Sequence, residues 1–263
     1  HDGRWGNVVT VNGQVAPALT LRPGERIRLR LLNVANGRIF KPEFGGLEAK
    51  AIAVDGLYAA RPLDSNGLEL APGNRLDVDL IAPAAGGSLA VTDRFTRQAT
   101  TLGHIVIDGT PMAPQTFASP AKAHVPRWAQ TLSQTPLRWS VALNARAGGP
   151  FGIEWTLNGE VMTHDHHAAM HPTLQLPRGE FSRVRFVNES FRLHPMHMHG
   201  VFFRLLARNG VPVDEPFFRD TVLVHPKEVV DVGLVPLDAG VWMLHCHILE
   251  HAESGMMTLV EIL

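Results

Sequence analysis

The chain has 263 residues, with 24 basic and 25 acidic side chains and a formal net charge of −1. At the usual domain size of about 150 residues, this length predicts two domains. A hydrophobic fraction of 45% with only 19% charged residues excludes a disordered chain. The near-neutral charge, without a run of Lys or Arg, argues against a nucleic-acid-binding protein, and no apolar stretch is long enough to predict a transmembrane helix.

Taken in chain order, the predicted elements are short β-strands. Residues 26–31 and 75–80 alternate polar and apolar side chains, as strands with one buried face do. Residues 183–187 and 229–234 show the same alternation in the second half of the chain. Because Gly, Pro and Asn interrupt these segments every 8 to 12 residues or so, the sequence predicts an all-β fold of sandwiches or barrels.

The two halves repeat one another. A Gly-Glu pair, an Arg-x-Arg pair and an Asn recur about 155 residues later, so that Asn33 corresponds to Asn188. The spacing predicts two copies of one β-domain, residues 1–111 and 137–263. Residues 112–136 are rich in Pro, Ala, Ser and Gln, and are predicted to form a linker.

The copies differ in the side chains that could bind metal. The first copy has Ile39, Pro42 and Phe44 where the second has histidines, and Thr92 where the second has the single cysteine. The matching residues of the second copy are His194, His197, His199 and Cys246. Metal chemistry is therefore expected only in the second copy.

Two segments concentrate these donors, His194-Pro195-Met196-His197-Met198-His199 and His245-Cys246-His247 followed by His251 and Met256. Side chains alternate along a strand, so His245 and His247 point to one face and Cys246 to the other. Cys246, His251 and Met256, with one histidine of the first segment, form the two-His, one-Cys, weak-Met set of a blue-copper electron-transfer site. The remaining histidines would face a neighbouring metal centre. Cys246 is joined to that centre through the peptide backbone, because its two sequence neighbours are among those histidines.

These two patterns, His-Pro-x-His-x-His and His-Cys-His-x3-His-x4-Met, resemble the C-terminal copper signatures of the multicopper oxidases, which include laccases and cuprous oxidases. The resemblance covers essentially the whole chain, whose copies look like the second and third domains of a three-domain enzyme. It implies two cupredoxin-like Greek-key β-sandwich or barrel domains. The ligands it implies are His194, Cys246, His251 and axial Met256 for type 1 copper, His197 for type 2 copper, and His199, His245 and His247 for the type 3 pair.

The resemblance also implies an activity. Type 1 copper would take single electrons from a phenolic, aromatic or cuprous substrate held near the edge of His194 or His251. The link from Cys246 to its two neighbouring histidines, His245 and His247, would pass them to a trinuclear cluster that reduces oxygen to water. In bacterial relatives an acid often follows the last type 1 histidine and helps proton delivery. Here that position is Ala252, and Glu253 beside it is the candidate catalytic acid.

The chain supplies only half of the cluster histidines that the family uses. The resemblance therefore implies a partner, an N-terminal cupredoxin domain in the same precursor or in an associated fragment. The first residues contain no initiator Met and no leader pattern, which favours a chain that begins partway into a larger protein or was processed. A periplasmic or secreted location is implied by the family alone.

Two alternatives remain open. If the chain were complete, it would hold a single type 1 copper and transfer electrons or bind copper without oxygen chemistry; it could also be a metal-free structural fragment. Copper content separates the readings, since about one copper per chain favours electron transfer and about four requires a partner with more histidines.

The sequence also supports predictions for residues outside the two donor segments. An insertion over residues 163–171 contains four histidines, and a solvated polar loop is favoured over an auxiliary copper site there. Trp155 is predicted to pack in the core or against the linker rather than to hold substrate. Asp214 and Glu215 are candidates for orienting a substrate, and His104 has no partner at ligand spacing.

Overall fold

The computed structural model describes residues 3–113, 115–117, 136–162, 172 and 174–263. In these residues the chain forms 19 strands and one short helix, which confirms the all-β prediction. It divides into two compact units, Trp5–His124 and Val125–Leu263, the second of which also includes His1–Arg4. Within the described ranges, no helix is long and apolar enough to cross a membrane.

The first unit contains two four-stranded sheets. Its strands are β1 (Ala18–Leu21), β2 (Arg26–Leu32), β3 (Pro42–Glu43), β4 (Ala49–Val54), β5 (Leu57–Asp64), β6 (Arg75–Ile81), β7 (Gly87–Asp93) and β8 (Thr100–Ile107). One sheet has the order β1-β8-β7-β3 and the other β2-β6-β4-β5. The parallel pairing of β1 with β8 brings the beginning and the end of the unit together in one sheet.

The second unit has a six-stranded and a five-stranded sheet. Its elements are β9 (Leu137–Ala147), β10 (Ile153–Leu157), β11 (Leu174–Leu176), β12 (Ser182–Asn188), β13 (His194–Met198), β14 (Phe203–Arg208), β15 (Val211–Pro212), β16 (Thr221–Val224), β17 (Val229–Leu234), β18 (Gly240–Cys246), α1 (Leu249–Glu253) and β19 (Met257–Ile262). The sheets have the orders β10-β9-β12-β17-β14-β15 and β11-β19-β18-β13-β16.

The core of the second unit lies between its two sheets. Strand β12 alternates buried Val184 and Phe186 with outward-facing arginines, one of which, Arg185, pairs with Asp231 on the neighbouring strand. Phe186 packs in one cluster with Met196 and other buried side chains of the five-stranded sheet. Fully burying one such side chain contributes about 1.5–3 kcal/mol, so the alternating pattern is sufficient to hold the sheets face to face.

The same asparagine-centred loop occurs in both units. The Asn33 side-chain amide donates to the carbonyl oxygen of Leu70, and its backbone N–H to that of Asn74. Asn188 makes the corresponding bonds about 155 residues later, and in both loops the asparagine Oδ1 accepts the backbone N–H two residues on, at 2.9 Å. The repeat seen in the sequence is therefore a repeat of hydrogen bonds.

Strand pairing brings the two histidine-rich segments together. β13 lies between β16 and β18, with Met196 opposite Cys246 and His197 opposite His245. The chain then turns through α1, which carries His251, and the backbone N–H of Cys246 donates to the carbonyl oxygen of Met256. The two segments that contain the predicted metal ligands therefore lie side by side in the five-stranded sheet.

Candidate metal centre

Three predicted ligands form a compact buried group, which we call the donor triad: His194, Cys246 and His251. The Cys246 Sγ lies 3.8 Å from His194 Nδ1 and 3.6 Å from His251 Nδ1, and the two nitrogens are 3.2 Å apart. All three side chains are 0% exposed. Strand β13, the end of β18 and helix α1 each contribute one of them.

The triad has the size and chemistry of a metal site. A point equidistant from its three atoms lies about 2 Å from each, which is the usual bond length from a transition metal to imidazole nitrogen or thiolate sulfur. Facing lone pairs repel one another unless a cation or a shared proton lies between them. The donor set, two imidazoles and one thiol, is the one that binds blue copper.

Two further residues complete the surroundings of the triad. Met256 is fully buried in the same core, beside the Cys246 backbone that bonds to it. Trp155 stacks on the His251 ring with centroids 3.9 Å apart and meets the His194 ring edge-on at 5.2 Å. Trp155 is thus a core residue, as predicted, but one that touches two of the predicted ligands.

Burial shifts the pKa of each triad member towards its uncharged form. Burial lowers the pKa of His251 to about 3, with a further contribution from the positive charge of Arg192. Burial, followed by the proximity of His251, lowers the pKa of His194 well below its ordinary value, and burial raises the pKa of the Cys246 thiol. Neutral imidazoles are ready ligands, whereas the thiol needs the charge of a metal ion to deprotonate.

The other four predicted ligands that are histidines form a second group, which we call the histidine cluster: His197, His199, His245 and His247. The Nε2 atoms of His199 and His245 are 3.1 Å apart. The rings of His197 and His247 lie 5.7 Å apart, each about as far from the ring of His245. Three of the four offer ligand atoms that could share one ion, namely His197, His199 and His245.

Hydrogen bonds at Nδ1 fix the tautomer of two of the cluster histidines. His197 Nδ1 lies 3.0 Å from both the Asp220 carbonyl oxygen and Thr221 Oγ1, and His245 Nδ1 lies 2.9 Å from the Cys246 carbonyl oxygen. Carbonyl oxygens only accept, so each Nδ1 carries the proton and each Nε2 presents a lone pair. Burial lowers the pKa of His245 to about 4, opposed by this hydrogen bond, and burial followed by the proximity of His197 lowers the pKa of His199.

The cluster is much more open than the triad. His199 is exposed, and its three companions are partly buried. The histidine cluster therefore has a ligand side chain exposed to solvent, whereas the donor triad has none. The expected substrate contact at the edge of His194 or His251 is not available here, since both rings are fully buried among core side chains.

Three residues that hydrogen-bond predicted ligands belong to no sequence motif. Asp220 and Thr221 hold His197, and Ser190 hydrogen-bonds His194 Nε2 at 2.8 Å. These are short polar residues without a spacing pattern, and only a residue-by-residue comparison of the two repeats could single out Ser190.

The remaining predicted residues lie apart from the two donor groups or outside the described residues. Glu253 is exposed at the end of α1, so its role stays a prediction. Asp214 and Glu215 form ion pairs with nearby arginines. The histidines of the 163–171 insertion fall outside the described residues.

Comparison with known proteins matches both units to one family. Residues 134–263 and residues 3–119 match two family models, each described as multicopper oxidase. "Multicopper oxidase MmcO" of Mycobacterium tuberculosis is 28% identical over 94% of this chain and 49% of its own length. A laccase of Haloferax volcanii is 30% identical over 96% of this chain and 46% of its own length.

A solved structure agrees. The crystal structure of a multi-copper oxidase from Pseudomonas thermotolerans has a TM-score of 0.84 and 28% identity, covering 100% of this chain and 61% of that one. The predicted cupredoxin-like fold is thereby confirmed, with copper as the cofactor. The chain spans about half the length of the curated relatives it matches. Because the two family models together cover nearly all of its residues, the chain belongs to the multicopper oxidase family.

Proposed function

We propose that this chain is the type 1 copper and electron-transfer part of a laccase-like multicopper oxidase. The observation that carries the proposal is the donor triad, a buried Cys and two His whose ligand atoms are 3.2–3.8 Å apart. Met256 would be the additional weak ligand of the copper that the triad would hold. Copper, when bound, supplies reversible one-electron chemistry, because thiolate and thioether ligands stabilise the reduced ion.

The histidine cluster is half of the oxygen-reducing centre. His197 serves the type 2 copper, and His199, His245 and His247 serve the type 3 pair. Residues 1–111 correspond to the second cupredoxin domain of the family and residues 137–263 to the third, joined by a linker over 112–136. An N-terminal cupredoxin domain supplies the other cluster histidines; the greater length of the relatives and the openness of His199 support this.

The protein's own residues bury the donor triad and orient the rings of the cluster histidines. The three triad side chains are fully buried. The Nδ1 hydrogen bonds of His197 and His245 leave Nε2 as the lone-pair atom of each ring, and that of His245 faces His199 Nε2. Cys246 belongs to one donor group and its two sequence neighbours to the other, so the backbone joins the groups covalently. Glu253 remains the candidate acid for delivering protons to oxygen.

The donor class follows from the relatives. Similar proteins are named laccase and bilirubin oxidase, which supports a phenolic or aromatic donor; a cuprous donor is proposed from the family resemblance alone. With both triad imidazoles buried, electrons from an organic donor cross at least one intervening side chain. A periplasmic or secreted location is proposed from the family alone.

The test is Cys246→Ser in the full-length copper-loaded protein. We expect loss of the intense thiolate-to-copper absorption together with oxygen consumption driven by a phenolic donor. His104→Gln, which removes a histidine outside both donor groups, is the control and should keep both. A colourless Cys246→Ser protein that still consumes oxygen would refute the assignment.

The alternative, a single-copper electron carrier, is not favoured, because the matched relatives are named as oxidases. Copper content of the same full-length preparation decides between the two. About four copper ions per protein support the oxidase, and about one supports the carrier.

A further inference from the structure

A chain of hydrogen bonds leads from His194 into the asparagine-centred loop. His194 Nε2 lies 2.8 Å from Ser190 Oγ, and Ser190 Oγ lies 2.8 Å from Asn188 Oδ1. Both supporting residues are buried. The Asn188 amide group in turn donates to the carbonyl oxygens of Arg192 and His225, at 2.7 and 2.8 Å.

The proton positions along this chain follow from what each atom can do. The two acceptor-only atoms near Ser190 Oγ are Asn188 Oδ1 at 2.8 Å and the Arg192 carbonyl oxygen at 3.4 Å, so the single hydroxyl proton points to the nearer one, Asn188 Oδ1. Ser190 Oγ also accepts the backbone N–H of Arg192 at 3.1 Å. His194 Nε2 must therefore donate to Ser190, which leaves Nδ1 as the unprotonated nitrogen that faces Cys246 and His251.

The first repeat lacks two of the three members of this hydrogen-bonded series, the histidine and the hydroxyl. Its loop keeps the asparagine, Asn33, with the same backbone hydrogen bond, but Ala35 stands where the second repeat has Ser190. Ile39 stands where the second repeat has His194. The hydroxyl thus occurs in the repeat that has the histidine and is missing from the repeat that does not, although the loop itself does not need it.

We propose that Ser190 is a positioning residue for the type 1 copper, which fixes the tautomer and ring orientation of His194 so that Nδ1 faces the metal. The inference rests on the proposed copper ligands. A hydrogen bond to the distal nitrogen of a ligating histidine typically changes metal affinity 10–100-fold.

The test compares Ser190→Ala, which copies the first repeat, with wild type in the full-length protein. We expect a 10–100-fold weaker affinity for Cu(I), measured by competition with a chromogenic chelator. We also expect a shifted reduction potential and altered copper hyperfine splitting in the electron paramagnetic resonance spectrum. Ser190→Thr keeps the hydroxyl and should restore all three.

Ser182→Ala is the matched control. Ser182 is also fully buried in this unit, and its Oγ has no hydrogen-bond partner among the described residues. It should leave copper affinity, potential and spectrum at wild-type values. If Ser190→Ala also leaves all three unchanged while wild type shows a type 1 spectrum, the inference is wrong and the proposed function stands; a wild-type protein without that spectrum refutes both.

A neutron structure of the wild-type protein tests the same point without any variant. We expect deuterium on His194 Nε2, directed at Ser190 Oγ, and on Ser190 Oγ, directed at Asn188 Oδ1. Deuterium placed instead on His194 Nδ1 would overturn the inference.

Discussion

Trp155 forms one wall of the donor triad. It is 2% exposed, and its ring packs against both triad imidazoles, with a tilt of only 30° to that of His251. Val9 precedes the Asn-Gly turn of the first repeat at the spacing at which Trp155 precedes that of the second. The large flat ring therefore belongs, like Ser190, to the repeat that contains the donor triad, where it packs against the His251 ring.

Replacing this ring is expected to affect both stability and the copper spectrum. Trp155→Leu should lower the free energy of unfolding of the metal-free protein by about 2–3 kcal/mol, measured by urea denaturation, because a buried ring and its stacking are lost. The type 1 resonance should broaden as the imidazoles sample several orientations. Trp155→Phe keeps an aromatic face and should keep a narrow resonance.

Trp139→Leu is the control for losing an indole from the same core. Trp139 packs against that core without belonging to the donor groups. Its variant should lose stability yet retain the wild-type resonance, and an unbroadened resonance in Trp155→Leu would contradict the positioning argument.

The burial of Trp155 could be predicted from the sequence, but its contact with His251 could not. Composition and position predict that Trp155 packs in the core, which is confirmed. They do not predict that it rests on His251, because the two residues are far apart in the chain. They meet where the Trp155 backbone N–H donates to the carbonyl oxygen of Ser254, just beyond helix α1.

At the scale of elements, alternation and pairing differ in how far the sequence predicts them. Alternation is local, so it separates Cys246 from its two histidine neighbours before any fold is known. The structure indeed groups Cys246 with His194 and His251, and His245 with His197 and His199. The register that sets His197 opposite His245 depends on long-range packing of β13 against β18, which no local pattern contains.

Gly200, at the end of the first histidine segment, is constrained by that packing. Its φ is +72°, and an added Cβ would lie 2.7 Å from Trp242 Cε3 and closer to two other ring atoms. Gly200→Ala is expected to lower the free energy of unfolding by about 3 kcal/mol, since a left-handed alanine costs about 1–2 kcal/mol and the crowding adds to it. Chemical denaturation measures the loss.

Gly210→Ala separates the two contributions. Gly210 has a similar φ of +78° but nothing within 4 Å of an added Cβ, so only the backbone cost of about 1–2 kcal/mol should appear. Equal losses in the two variants would show that Trp242 yields freely and that Gly200 is not required for close packing.

Across the whole molecule, the two repeats use similar loops around different interiors. Where the second repeat has Cys246 and His247, the first has Thr92 and Asp93. The Asp93 carboxylate is fully buried, accepts the backbone N–H groups of Lys41 and Phe95, and lies 3.7 Å from the Arg38 guanidinium. The sequence predicts the absence of metal ligands here but not the buried ion pair, because nothing in the spacing links Arg38 to Asp93.

This ion pair gives the last prediction. Arg38→Met leaves the buried carboxylate without its counter-charge and should lower the free energy of unfolding by about 3–5 kcal/mol. Adding Asp93→Asn should recover much of that loss, because the amide oxygen still accepts the Lys41 and Phe95 N–H groups while the charge is gone. The control is Arg138→Met in the exposed pair with Glu180, where less than about 1 kcal/mol should change. A double variant no more stable than Arg38→Met, measured by urea denaturation, would mean that the loss reflects packing of the arginine rather than its charge.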